Sequence, residues 1–120
     1  MYPVHESDSG SFQELARHKD LNFGQLSYLV IKPGFSRGNH YHKRKEEWFC
    51  CVRGKCRMDL FDINSNKTKE LLLDSTKMEF VKVEPYEVHT LTNTSDSENC
   101  GLIIVISEEY IETDPDTFVK

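Results

Sequence analysis

His40 and His42 stand two residues apart, Glu47 follows five residues on, and Gly54 closes the segment 34–54. A β-strand sends every second side chain to the same face. A strand through this stretch therefore points both imidazoles one way. Two imidazoles and a nearby carboxylate form a compact set of nitrogen and oxygen donors, which suits a divalent metal that keeps coordination positions open. Zinc is the first expectation, and iron, manganese and nickel accept the same donors.

Holding that wall in place needs a scaffold, and the flanking sequence reads as strands. Residues 25–31 alternate, with Leu26, Tyr28 and Val30 on one face and Ser27, Leu29 and Ile31 on the other. Both faces are rather apolar, as in a layered β structure. Pro33-Gly34 punctuates before the histidine strand. Runs 47–53 and 56–62 flank Gly54 as a hairpin, with the next turn at 64–66. Further strands are expected at 69–73, 79–83, 88–92 and 102–107, separated by turn clusters at Asp74-Ser75, Glu84-Pro85 and 94–99. Short strands at a spacing of about 8–12 residues, with no long helical period, predict an all-β sandwich or barrel of jelly-roll type.

The chain reads as one domain, 1–120, with an N-terminal edge segment at 1–24, a barrel at 25–107 and a C-terminal tail at 108–120. The edge segment holds a turn at 8–10 and then a short strand. The tail is expected to pack along the outside of the barrel or against a second subunit. Tyr28 is a candidate for the cavity lining, and Lys82 and Glu79 are candidates to point inward. Trp48 faces opposite Glu47 and Phe49, and Tyr41 faces away from the histidines.

Composition narrows the function classes. Twenty acidic against 15 basic residues leave a net charge of −5. That balance disfavours nucleic acid and anionic membranes, which need a basic face to neutralise phosphates. The one basic run, Lys43-Arg44-Lys45, reads as a solvated turn. No apolar stretch reaches the ~20 residues of a membrane span, and the first residues lack a signal-peptide layout, so a cytoplasmic location is expected. Cys50, Cys51, Cys56 and Cys100 are then expected as reduced thiols. Cys50 and Cys51, adjacent in a strand, face opposite sides.

The order Gly34, five residues, His40-x-His42, four residues, Glu47, six residues, Gly54 is similar to the first signature of the cupin superfamily, which the chain resembles over residues 25–107. Pro85-x-x-x-His89-x-x-x-Asn93 resembles the second signature, with Tyr86 and Glu87 where the family has a glycine after the proline. The resemblance implies a single-domain cupin jelly-roll barrel, and it makes His89 the fourth metal ligand beside His40, His42 and Glu47. The gap to Gly54 selects Glu47 over Glu46.

Arg37-Gly38-Asn39-His40-Tyr41-His42 is similar to a segment of the nucleotide-sugar epimerases and of the nucleotide-sugar 3,4-ketoisomerases. In the epimerases a His at the place of His40 is the proton-abstracting base, and in the ketoisomerases imidazoles at the places of both His40 and His42 move the protons, although the ketoisomerases usually lack a carboxylate at the place of Glu47. More of the chain resembles the C-terminal cupin domain of the bifunctional capsular polysaccharide enzymes that make UDP-N-acetyl-fucosamine precursors. The shared residues are Lys32-Pro33-Gly34, Gly38-Asn39-His40-x-His42, Lys45-x-Glu47-x-Phe49, Gly54, the Pro85–His89–Asn93 spacing and the closing Pro115-Asp116-Thr117-Phe118.

These resemblances imply epimerisation or ketoisomerisation of a nucleotide-linked 4-keto hexose through an enolate, in surface-polysaccharide sugar biosynthesis. His40 and His42 would carry the protons. Arg37, with its planar fork of donors, would hold the diphosphate, and Tyr28 would line the substrate cavity. A homodimer is expected because barrels of this type commonly bury an edge strand between subunits. A separate sugar reductase is expected as a partner. The rival readings are a metal-dependent oxygenase acting on a small organic substrate and a non-catalytic sugar-binding cupin.

Overall fold

Turn residues cut the chain into eleven short strands, and no α-helix forms in the computed structural model, which describes Met1–Lys120. The strands are β1 (Val4–Ser7), β2 (Gly10–Gln13), β3 (Gln25–Ile31), β4 (Ser36–Tyr41), β5 (Glu47–Arg53), β6 (Lys55–Asp62), β7 (Thr68–Asp74), β8 (Val81–Val83), β9 (Glu87–Thr92), β10 (Cys100–Ile106) and β11 (Phe118–Val119). One sheet runs β3-β10-β5-β8, and a second runs β11-β4-β9-β6-β7. Every pairing is antiparallel. The two sheets face each other as the all-β, jelly-roll barrel expected of this pattern.

The inner faces enclose a core of Ile31, Phe49, Cys51, Cys56, Met58, Leu60, Leu73, Val83, Leu91, Cys100 and Leu102. All four cysteines are free and buried. Three of them belong to this core, while Cys50 lies on the opposite face of β5 from Cys51. The first five residues of β5 are all buried, because both of its faces are covered. One face meets the core. The other carries Trp48, which helps line a cleft of about 560 Å³ with Leu15, Leu21 and Phe80.

Three expectations are corrected by the packing. Lys82 and Glu79 do not point into the barrel: both line the outer cleft beside Trp48, and Lys82 pairs with Glu46 at 2.6 Å and Glu84 at 3.0 Å. Val83 takes the inward position on β8, at 2% exposure. Residues 4–7 and 10–13 make their own two-stranded hairpin, so the N-terminal segment is not an edge of the barrel. The basic run is no freely solvated turn, since Lys45 is buried beneath the tail and its Nζ donates to the Pro115 carbonyl at 3.1 Å. The tail ends as a strand, with β11 pairing Phe118 with Tyr41 and Val119 with His40.

A bulge in β4 decides which way the histidines face. Arg37 lies opposite Leu91 and His40 opposite His89, so three steps along β4 match two along β9. Asn39 takes up the extra residue at φ 63°, and Gly38 sits at φ 105°. Residues directly opposite in an antiparallel pair share a face. Arg37 and His40, an odd number of residues apart, thus both join the face of Leu91 and His89. Gly38 has no substitute here: a Cβ would stand 2.6 Å from the His89 carbonyl oxygen. Gly38→Ala is expected to cost about 2 kcal/mol or more, from the positive φ and the forced separation of β4 from β9. Urea unfolding monitored by Trp48 fluorescence checks this.

Candidate functional site

Four donors from three strands and a turn converge between the sheets. His40 comes from β4, His42 from the turn after it, Glu47 opens β5 in the facing sheet, and His89 lies in β9. One ligand atom from each of these residues lies within 4.8 Å of the other three. The imidazole centroids are 4.6 Å apart for His40 and His89, 5.4 Å for His40 and His42, and 5.7 Å for His42 and His89. Phe49, with its ring 5.5 Å from that of His89, joins the cluster to the apolar core.

Burial divides the four. Glu47, His89 and His42 are buried at 5%, 2% and 8% exposure, whereas His40 is only half-buried. Glu46 takes the other side of the strand, where its carboxylate meets Lys82 at 2.6 Å and Asn22 at 3.1 Å. Two of the rings are oriented by backbone carbonyls. His42 Nδ1 lies 2.5 Å from the Asp116 carbonyl oxygen, and His89 Nδ1 lies 3.4 Å from that of Glu87. A nitrogen facing a carbonyl must carry the proton, so each neutral ring keeps a bare lone pair on Nε2.

That orientation creates a conflict which a cation resolves. His42 Nε2 is in contact with a Glu47 carboxylate oxygen, yet this buried nitrogen completes no hydrogen bond with any protein group. His89 Nε2 lies 3.7 Å from the same oxygen. Lone pairs of two imidazoles facing a carboxylate repel unless positive charge sits among them. A proton on His42 is one such charge, and a divalent metal held by all the donors is another. The donor set thus fits zinc or a related ion of intermediate softness.

The ionisation of each group follows from the same contacts. Burial alone would lower the pKa of His42, but the close contact with the charged Glu47 carboxylate outweighs it and holds the pKa above the ordinary imidazole value. Burial likewise opposes ionisation of Glu47, but His42 and the neighbouring imidazoles pull its pKa below the usual carboxylate value. Burial pushes His89 down to about 4. Burial and then the charge of His42 lower His40 as well, leaving a neutral ring at the rim that is free to accept a proton.

The other sequence candidates divide. Arg37 is exposed, on the face that carries His40 and His89. Tyr28 is not brought to the cluster. It lies 57% exposed on the outer face of β3, because Leu29 and Ile31 take the inward positions. Asn93 is fully buried and structural: its side chain donates to the Ile31 and Glu98 carbonyls at 2.8 Å each and accepts from Ser95 N–H at 2.9 Å. Asn93→Ala strands the buried Ile31 carbonyl and two partly buried groups, the Glu98 carbonyl and the Ser95 N–H, and is expected to cost roughly 2 kcal/mol, read as a lower urea midpoint. Asp116 was not predicted at the site from its sequence position, and its one signal was the closing Pro-Asp-Thr-Phe motif.

Comparison with known proteins adds a family. The Polysaccharide biosynthesis C-terminal domain matches residues 5–118. A UDP-2-acetamido-2,6-beta-L-arabino-hexul-4-ose reductase from Pseudomonas aeruginosa is 29% identical over 116 residues, 97% of this chain and 30% of that protein. A TDP-4-oxo-6-deoxy-alpha-D-glucose-3,4-oxoisomerase from Aneurinibacillus thermoaerophilus is 31% identical over 108 residues, 88% of this chain and 74% of that protein. The crystal structure of capsular polysaccharide assembling protein CapF from Staphylococcus aureus superposes with a TM-score of 0.77 at 28% identity, covering 99% of this chain and 34% of that one. The chain spans about a third of the reductase and of CapF, and three quarters of the oxoisomerase. No helix is long and apolar enough to cross a membrane.

Proposed function

Because the chain belongs to the polysaccharide biosynthesis C-terminal domain family, we propose that it moves a proton at a carbon beside the ketone of a nucleotide-linked 4-keto hexose, as an epimerase or ketoisomerase. The observation that carries this reading is the four-donor cluster with one imidazole, His40, at its solvent-facing rim. Relatives whose names specify 4-keto nucleotide sugars support the substrate class.

A hydrogen beside a ketone leaves as a proton only if the developing enolate oxygen is stabilised. His42, Glu47 and His89, joined by His40, would hold a divalent cation, with zinc the first choice. Such a cation supplies positive charge for that oxygen, typically worth several kcal/mol. A ring nitrogen bound to metal would have no lone pair for a proton, so in its acid–base role His40 would be free and His42, Glu47 and His89 are the residues that would hold the cation. Its lowered pKa keeps it neutral and ready to accept. For ketoisomerisation the protonated ring returns the proton to the former carbonyl carbon while the enediol's hydroxyl proton passes to the former carbonyl oxygen; for epimerisation the proton returns to the same carbon from the opposite face, supplied by a second donor such as water, and His40 releases its own to solvent. Arg37, on the same face of β4 and in solvent, would take the diphosphate with paired hydrogen bonds. A sugar reductase would act on the product.

The test is nuclear magnetic resonance of a nucleotide 4-keto-6-deoxy hexose in deuterated water with zinc-loaded protein. Deuterium should enter at a carbon flanking the ketone; binding without exchange overturns the catalytic reading in favour of a sugar-binding cupin. Metal analysis of protein purified without added metal should find a substantial fraction of one equivalent. Oxygen consumption on iron loading would instead favour an oxygenase. A homodimer is part of the proposal, since β3 is an unpaired edge whose Leu26, Tyr28 and Val30 are exposed and apolar. Analytical ultracentrifugation should find two copies, and a monomer would remove that part.

A further inference from the structure

Asp116 is the one buried acidic residue of the tail, at 5% exposure, although it stands in a polar segment beyond the barrel. Its carboxylate accepts hydrogen bonds from three consecutive backbone N–H groups, those of Lys43 at 3.1 Å, Arg44 at 2.9 Å and Lys45 at 2.9 Å. Successive amides converging on one anion make a concave oxyanion-type seat. The residue is left-handed, at φ 49°, a conformation that a non-glycine side chain adopts at a cost of about 1–3 kcal/mol unless its surroundings enforce it. Two further ties hold the segment: Lys45 Nζ on the Pro115 carbonyl at 3.1 Å and the β11 pairing with β4.

A staple for the tail would need no more than this, but Asp116 also reaches the site. Its own carbonyl is the group that faces His42 Nδ1. The carboxylate seat fixes the peptide, and the peptide fixes the ring. We propose that Asp116 is a positioning residue for the histidine cluster: anchored on the 43–45 turn, it holds its carbonyl against His42 Nδ1 and so selects the tautomer whose bare Nε2 faces Glu47. In the other tautomer Nε2–H would point at the cluster, and the ring would donate to Glu47 instead of to a shared cation. The value of this tautomer to the protein rests on the metal reading above, while the tautomer itself does not.

The experiment reads the tautomer and the metal separately. Ring-nitrogen resonance of histidine-labelled, metal-free protein, at a pH alkaline enough to leave the rings neutral, should find His42 protonated on Nδ1. In Asp116→Gly, which tolerates the left-handed φ but lacks the carboxylate, the Nε2–H form should appear. Zinc affinity should fall roughly 10–100-fold in that variant, the usual effect of losing a group that orients a metal ligand. Asp116→Asn keeps one acceptor and should fall between. His42 protonated on Nε2 in the wild type overturns the proposal. So does an Asp116→Gly protein that keeps Nδ1–H and binds zinc within about twofold of the wild type, well short of that expected loss. Should the glycine variant fail to fold, the wild-type spectrum and the asparagine variant decide. A wild type with the Nδ1–H tautomer and no zinc affinity would sink the metal reading and leave the positioning intact.

Discussion

His40→Asn is expected to slow deuterium entry into a 4-keto nucleotide sugar by roughly 10²–10⁴-fold, the usual contribution of one positioned acid–base group. At 1.36 kcal/mol per decade that is about 3–5 kcal/mol of lost transition-state stabilisation. The loss belongs to chemistry rather than to folding, because His40 is the half-buried member at the rim and fills no core space. Asparagine keeps polarity and approximate size but cannot take up a proton near neutral pH. Zinc content is the second readout. Three buried donors remain in the variant, so zinc affinity should drop far less than exchange does. Exchange within about tenfold of the wild type would remove His40 from the proton path. Zinc lost as completely as exchange would make His40 a ligand first.

Glu47→Gln should have the opposite signature. Glu47 is the one carboxylate of the cluster, buried at 5% exposure with its Oε1 against His42 Nε2 and 3.7 Å from His89 Nε2. Glutamine keeps the shape and removes the charge. Removing one partner of a buried charged pair typically costs about 3 kcal/mol or more, which is a hundredfold in affinity at about 1.4 kcal/mol per decade. The expected result is a folded protein that no longer retains zinc through dialysis. Calorimetric titration of the metal-free variant with zinc measures it directly, and affinity within about tenfold of the wild type would show that the imidazoles hold the metal unaided. Glu46→Gln is the control: its carboxylate meets Lys82 and Asn22 on the other side of the strand, so zinc binding should be unchanged.

The strands themselves were legible. Run after run matched an observed strand to within about two residues, because short apolar segments cut by Gly, Pro, Asn and Asp leave little choice of structure. What failed was parity across distance. Tyr28 belongs to a strand with two apolar faces, and alternation says that Tyr28 and Val30 share a side without saying which side is inward. Only the sheet packed against β3 settles that. The bulge at Gly38-Asn39 was equally hidden, since an extra residue is defined by the partner strand β9 and not by β4 itself. Lys45 read as a surface cation because its neighbours are charged, and the tail residue that covers it lies seventy positions away.

Residue types and spacing alone determined that this chain would be an all-β structure of short strands, because alternation and turn residues are local, while His42 falls just past the end of β4 in the turn. Tertiary structure decided that Glu47 of one sheet meets imidazoles of the other, and that a carbonyl 74 residues from His42 chooses where its proton sits. Those outcomes depend on which surfaces exclude water together. No local rule contains that information, because hydrophobic burial acts on distances in space and not along the chain.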